Sequence, residues 1–281
     1  MRYLTFRIDG QARWGRVDDD RVIPLDGFFP SLKSAIEAGA IASGEVAKAA
    51  GESLALSKIE YLPVLPDPAK ILCVGLNYEE HRRETGRNQV AHPTIFTRFA
   101  DSQIGHGALI TRPRESTQLD YEGELAIVIG KGGRRIPASS ASAHIAGYSC
   151  YNDASVRDWQ AHTTQFIPGK NFPGTGAFGP CLVTPEEFGV PEAQRLQTRL
   201  NGRVMQNATL AQMIFPIATI IEYCSSFTTL NCGDVILTGT PGGVGVKRTP
   251  QVFMSPGDEI EVEIEGIGIL RNSVAAEGGA Q

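Results

Sequence analysis

The stretch Asp120-Tyr121-Glu122-Gly123-Glu124-Leu125-Ala126-Ile127-Val128-Ile129-Gly130 decides how the rest of the chain is read. Its first half alternates acids with other residues, and its second half is an unbroken apolar run. Such a run, bounded by glycine, predicts a buried strand over 119–130. In one continuous strand alternate side chains share a face, so Asp120, Glu122 and Glu124 point one way, each about 7 Å from the next. Carboxylates that lead into a core repel one another and lose hydration. A bound cation resolves both costs, and an all-oxygen set favours Mg2+, Mn2+ or Ca2+ over zinc. The same alternation also suits an acidic strand end in solvent, and it cannot complete an octahedron. A third ligand has to come from elsewhere. Asp153 is the natural candidate, because it closes an apparent strand over 145–152, although an Asn-Asp pair also suits a turn.

Working outward, 70–76 and 234–237 read as further buried strands. In 258–265 glutamates alternate with Ile260, Val262 and Ile264, which predicts a half-exposed strand whose glutamates form a solvated face without chemistry. Near the start, 5–8 and 12–17 flank Asp9-Gly10, a good hairpin turn. Residues 21–25 add a strand, and 31–39 and 44–50 read as helices ending near glycines. Three prolines in 61–68 mark an extended linker. The expected organisation is therefore a small N-terminal α+β domain over 1–66 and a larger domain over 67–281. In the latter, 158–180 reads as a long irregular loop of the kind that carries function, and 210–225 as a helix despite Pro216. Strands outnumber helices without regular βαβ alternation, so the fold class is mixed and β-rich, a roll or sandwich.

Composition narrows the function. With 281 residues, 42% hydrophobic and 20% charged, the chain can bury a sizeable core. A formal charge of −5 argues against a general nucleic-acid binder. No apolar run reaches the length of a membrane span, and the N-terminus lacks a secretory core. The five cysteines are scattered and none forms a CxxC pair, which suits free thiols in a reducing cytoplasm. The expectation is a cytoplasmic protein with neither nucleic-acid nor membrane partners.

Other candidate groups are weaker one by one. His81 and Glu84 sit three apart in a polar segment; on a helix they would meet, and the carboxylate would orient the imidazole as a base. Charge-rich helical faces are more often simply solvated. The loop Thr238-Gly239-Thr240-Pro241-Gly242-Gly243-Val244-Gly245 could cradle an anion on its backbone N–H groups, but it lacks the Gly-Lys-Ser/Thr ending of a nucleotide loop. Lys170, Arg157 and Gln160 have no distinctive setting of their own.

The order of these signals is distinctive. Gly-Leu-Asn-Tyr-x-x-His-x-x-Glu at 75–84, Asp-Tyr-Glu-x-Glu-Leu-Ala-x-Val-Ile-Gly at 120–130 and Gly-Tyr-x-x-x-Asn-Asp at 147–153 come first. Arg-Asp-x-Gln at 157–160, Asn-Gly-x-x-x-Gln at 201–206 and Gly-Asp-Val-Ile-x-Thr-Gly-Thr-Pro-x-Gly-Val-Gly at 233–245 follow. Across roughly 70–274 the chain resembles the fumarylacetoacetate hydrolase family, and its first residues resemble a small domain that some members carry. The resemblance implies the family's β-rich roll, a homodimer, and one Mg2+ or Mn2+ ion per subunit held by Glu122, Glu124 and Asp153. It implies a His81–Glu84 catalytic dyad on a segment that can close over substrate. Lys170 would stabilise developing negative charge. Tyr78, Gln160, Gly239 and Thr240 would be substrate contacts.

The substrate so implied is a small 2-oxo acid. The leading expectation is a C–C hydrolase of acylpyruvate type, acting on a 2,4-dioxo acid such as maleylpyruvate or fumarylpyruvate in aromatic-compound degradation. The alternatives are an oxaloacetate-type decarboxylase or a 2-hydroxyhepta-2,4-diene-1,7-dioate isomerase, then a ureidoglycolate lyase or a non-catalytic metal-binding module. One departure bears on substrate choice: Arg98 stands near a point where many relatives place a lysine. Its planar fork suggests that it recognises a second substrate carboxylate.

Overall fold

The structure is a computed structural model that describes residues 1–88 and 90–278. Leu125 to Ile129 have no exposed surface, and they occupy the strand Gly123–Ile129. Leu125, Ile127 and Ile129 enter one core cluster with Leu196, Ile260 and Val262. Ala126 and Val128 enter the other, with Tyr3, Trp14, Leu32 and Ile36. The run is continuous because both faces of this strand are covered, at roughly 2 kcal/mol for each buried Leu, Ile or Val.

Gly123–Ile129 is central in a twelve-stranded sheet among the described residues. One neighbour is Ile145–Asp153, antiparallel, with Gly123 opposite Asn152 and Glu124 opposite Tyr151. The other is Val235–Leu237, also antiparallel, which pairs in parallel with Ile71–Gly75. Beyond Ile145–Asp153 lies Gly176–Val183, and beyond that Arg2–Ile8, in the register Arg2 to Val183 and Tyr3 to Leu182. The first strands of the chain are thus hydrogen-bonded into the large sheet. A five-stranded sheet containing Arg195–Leu200, Glu259–Ile264 and Gly268–Ala276 covers one face. The short helix Leu32–Glu37 packs with the cluster on the other.

Several sequence expectations change. The strand over 119–130 is broken. Leu119–Asp120 pairs with Ser155–Val156, and regular pairing resumes only at Gly123. Between them Glu122 donates its N–H to the Asn152 side chain at 3.0 Å and accepts from the Asp153 N–H at 2.8 Å. The break leaves Asp120 outside the set of three acids whose oxygens converge, Glu122, Glu124 and Asp153.

The helix expected over 210–225 starts at Ile217 and runs to Phe227, with Pro216 as its N-cap. Proline has no N–H to give to the preceding turn and disfavours helix in the residue before it, so Leu210–Gln212 remains a separate 3-10 turn. Residues 44–50 hold only a 3-10 turn, Glu45–Lys48. The stretch 158–180 is more ordered than expected: it includes helices Arg157–Gln160 and Ile167–Lys170 and the start of Gly176–Val183. The glutamates of Glu259–Ile264 are also more than a solvated face. Glu261 is buried and pairs with Arg199 at 2.7 Å and Arg271 at 2.6 Å. Its carboxyl is pushed up by burial, but the two guanidiniums outweigh that and hold it below the usual range.

Candidate active site and metal centre

Adjacent strand ends bring three acids together. Glu122 and Glu124 come from the start of the central strand and Asp153 from the end of its neighbour. One oxygen of each lies within 4.8 Å of the others, and all three side chains are buried. Gly123 permits this packing: a Cβ there would lie 2.2 Å from Thr198 Oγ1 on the second sheet, closer than any real contact.

Cations surround the acids. Lys170, almost fully buried, reaches Glu122 Oε2 at 2.6 Å and Asp153 Oδ2 at 2.5 Å, and donates to the Asp153 carbonyl at 3.0 Å. All three ammonium protons are therefore committed in this structure. Burial pulls its pKa down, but Asp153 and Glu122 outweigh that and raise it, so it is a fixed positive charge. Arg157 pairs with Glu122 at 2.6 Å and with Asp120 at 2.8 Å. Burial pushes the Glu122 carboxyl up, while Lys170 and Arg157 more than reverse this and hold it at about 2.

Glu124 differs from the other two acids. Its contact is the Gly239 N–H at 2.7 Å, and no cation pairs with it among the described residues. Burial and the charges of Asp153 and Glu122 push its carboxyl well above the ordinary value. Four buried carboxylates, Asp120 included, face three buried cations, Arg98, Arg157 and Lys170. The residual charge sits where three carboxylate oxygens converge, and this donor set fits a hard divalent cation such as Mg2+ or Mn2+.

The short helix Glu79–Glu84 places His81 at the wall of the same cleft. Its Nδ1 lies 2.7 Å from Glu84 Oε1, and Glu84 Oε2 accepts the Gly243 N–H at 3.0 Å. The cleft has a volume of about 430 Å³, and His81, Glu122, Glu124, Gln160, Lys170 and Thr240 all line it.

Three expected substrate contacts are not at its surface. Arg98 is sealed below it: Nη1 donates to Asp153 Oδ1 at 2.7 Å and to the Ala154 carbonyl at 3.0 Å, and Nη2 to Thr175 Oγ1 at 2.7 Å. Its side chain has no exposed surface, so it orients Asp153 and cannot reach a substrate carboxylate. Tyr78 is also buried, and burial followed by the nearby Glu124 charge raises its phenol pKa. The Gly239 N–H is committed to Glu124. Its φ of +97° suits glycine, and a Cβ would meet Asn77 Cβ at 2.7 Å. The two contacts that do line the cleft are partly committed: Thr240 donates its hydroxyl to the Gly123 carbonyl at 2.9 Å, and Gln160 Oε1 accepts from Arg157 at 2.9 Å.

Two further residues join the site: Asp120, read in the sequence with Glu122 and Glu124 but left outside the metal set that the resemblance implies, and Gln206, for which no role was expected. Asp120 accepts from Arg157 Nε and from the Gly245 and Val246 N–H groups, tying the glycine loop to the acid cluster. Gln206 donates to Thr240 Oγ1 and the Pro241 carbonyl, both at 2.8 Å, and accepts from Gly123 N–H at 3.0 Å. The recurring Asn-Gly-x-x-x-Gln signature pointed to Gln206, but nothing in its composition did.

Comparison with known proteins identifies the family. The family described as "Fumarylacetoacetate (FAA) hydrolase C-terminal" matches residues 70–275.

The chain belongs to the fumarylacetoacetate hydrolase family.

The N-terminal family "Rv2993c-like, N-terminal" matches residues 1–60. Among curated members of the fumarylacetoacetate hydrolase family, the mitochondrial oxaloacetate tautomerase FAHD2A of Bos taurus is 40% identical over 262 residues, covering 90% of this chain and 83% of the relative. The oxaloacetate tautomerase YisK of Bacillus subtilis is 42% identical over 223 residues, covering 78% and 74%. The solved fumarylacetoacetate hydrolase from Exiguobacterium antarcticum superposes with a TM-score of 0.87 at 35% identity, covering 98% of this chain and 99% of that one. The β-rich family fold, with few helices, is therefore shown. No helix of the described residues is long and apolar enough to cross a membrane.

Proposed function

We propose that this protein is a divalent-metal-dependent isomerase that interconverts the keto and enol forms of a small 2-oxo dicarboxylic acid of the oxaloacetate class. The observation that carries the proposal is the shared cleft. It is lined by a carboxylate-oriented imidazole, by a buried ammonium and by Glu122 and Glu124, two of the three convergent acids, whose third member, Asp153, is buried beside them. The tautomerase names of the two curated relatives support this reading over the hydrolase expectation, and they favour the isomerase side of the alternatives.

The chemistry needs one proton moved at the carbon beside the keto group. Glu84 accepts the Nδ1 proton of His81, which leaves Nε2 as the base. Nε2 takes a proton from C3 as the C–H electron pair becomes the C2–C3 double bond; the keto oxygen takes up a proton from solvent in the cleft while the imidazolium returns its own to solvent, and the reverse sequence restores the ketone. Nothing is oxidised and no carbon bond breaks. Glu122, Glu124 and Asp153 would hold Mg2+ or Mn2+, which supplies Lewis-acid stabilisation of enolate charge. Lys170 adds a fixed positive charge in a site shielded from water. Lys170 and, after it, Arg157, itself held by Asp120, keep Glu122 ionised.

The test follows the enol absorbance of oxaloacetate as it relaxes to equilibrium with purified protein and Mg2+, beside pyruvate release from oxaloacetate and maleylpyruvate. Relaxation accelerated by wild type but not by His81→Ala, with little pyruvate, is the expected result. Fast pyruvate release from maleylpyruvate without accelerated relaxation would return the assignment to a C–C hydrolase. Fast release from oxaloacetate would make it a decarboxylase.

A further inference from the structure

Lys247 and Arg87 are the outer cations of the cleft. The cleft has four cationic side chains along its wall: Arg87, Arg157, Lys170 and Lys247. The two inner ones are neutralised, Arg157 by Asp120 and Glu122 and Lys170 by Glu122 and Asp153. The two outer ones are exposed, and among the described residues neither pairs with a carboxylate. The acids of the wall, Glu122 and Glu124, are buried and converge with Asp153. The cleft is therefore balanced by acids within and carries uncompensated positive charge at its mouth.

Lys247 is not on a loose loop. It ends the 3-10 turn Gly245–Lys247, whose Gly245 and Val246 N–H groups donate to Asp120 at 2.8 and 2.9 Å. Asp120 in turn holds Arg157, which holds Glu122. A chain of charge-assisted contacts thus ties the backbone that carries Lys247 to the acid cluster. A Cβ at Gly245 would fall 1.8 Å from the Val252 carbonyl oxygen, so this turn is packed hard against its neighbour.

We propose that Lys247, assisted by Arg87, is the specificity-determining group that receives the distal carboxylate of a four-carbon dicarboxylic substrate. This rests on the reading of the inner end as the site of the 2-oxo acid group, and it assigns to Lys247 the role that the sequence suggested for Arg98. An exposed ion pair of this kind has modest strength and is screened by salt. Its contribution is selectivity between substrates that share the inner group.

The test is a binding measurement, so it does not depend on turnover. Calorimetric titration of the Mg2+-loaded protein compares malate with 2-hydroxybutanoate, stable four-carbon acids that differ in the distal carboxylate. Wild type is expected to prefer malate. Lys247→Glu should weaken malate about three- to tenfold while 2-hydroxybutanoate changes less than twofold. Lys247→Arg should retain the preference, and raising the salt should shrink it. A wild type that does not distinguish the two acids, or a preference that survives in Lys247→Glu, overturns the assignment. If the malate preference behaves as expected but no tautomerisation is found, the binding role of Lys247 stands and the proposed reaction fails.

Discussion

His81 Nδ1 and Glu84 Oε1 lie 2.7 Å apart, and the second oxygen of Glu84 accepts the N–H of Gly243 at 3.0 Å. One carboxylate therefore fixes the imidazole and also ties its helix to the glycine loop that carries Thr240. Glu84→Gln keeps the size of the group but replaces an ionised acceptor with a neutral amide. It should lower the tautomerisation kcat by about 10²-fold or more with little change in substrate affinity. Steady-state kinetics beside calorimetric binding check this, and a loss confined to KM would reassign Glu84 to ground-state binding.

Arg98 acts on Asp153 from below the cleft. Its fork spans the Asp153 carboxylate, the Ala154 carbonyl and Thr175, a set that a lysine ammonium cannot reproduce in the same plane. Arg98→Lys should weaken Mg2+ or Mn2+ affinity by about ten- to a hundredfold, read by calorimetry. It should leave the malate preference over 2-hydroxybutanoate intact once the metal is saturating. A metal affinity unchanged in Arg98→Lys would show that Asp153 does not depend on this fork.

Gly123 separates the two strand acids and meets the second sheet at Thr198. Gly123→Ala should destabilise the fold by about 1 to 3 kcal/mol through overpacking, seen as a lower thermal midpoint. Adding Thr198→Ala removes the nearest clashing atom, so the double variant should recover part of the loss. A contact with Val262 Cγ1 at 3.2 Å limits that recovery. Full additivity of the two single losses would contradict the contact.

Glu261 links stability to pH. Its folded pKa is depressed, so its pairing with Arg199 and Arg271 stabilises the fold above the ordinary glutamate pKa near 4.3. That stabilisation is lost as pH falls through the lower folded value. Glu261→Gln should cost about 0.5 to 1 kcal/mol at pH 7, a fall in thermal midpoint of about 2 °C. The gap between wild type and variant should close below pH 4. A gap that persists in acid would mean that packing, not charge, is lost.

The buried strand, the hairpin at Asp9-Gly10 and the β-rich class were legible because each is written in adjacent residues. The run 125–129 is apolar throughout because both of its faces are covered. Asp153 was found as the partner of Glu122 and Glu124 because it ends the neighbouring strand. What escaped reading is what depends on long-range placement. The break at Tyr121 and Glu122 comes from pairing with Ser155 and Val156, more than thirty residues away. The fate of Arg98 depends on Asp153 and Thr175, which sequence distance hides. Glu261 resembled its solvated neighbours because Arg199 and Arg271 reach it only across paired strands. Pro216 did announce the true helix start, and the apolar periodicity around it hid that signal.

The central claim is that His81 moves a proton at C3 of a 2-oxo diacid without breaking a carbon–carbon bond. Proton NMR of oxaloacetate in D2O, with Mg2+ and wild type or His81→Ala, measures it directly. Both samples are corrected for spontaneous exchange, and pyruvate is measured in the same tube. The account predicts C3 exchange by wild type that falls about 10²-fold or more in His81→Ala and far outpaces pyruvate formation. Exchange that is equal in the two proteins, or pyruvate that forms as fast as deuterium enters, would contradict it.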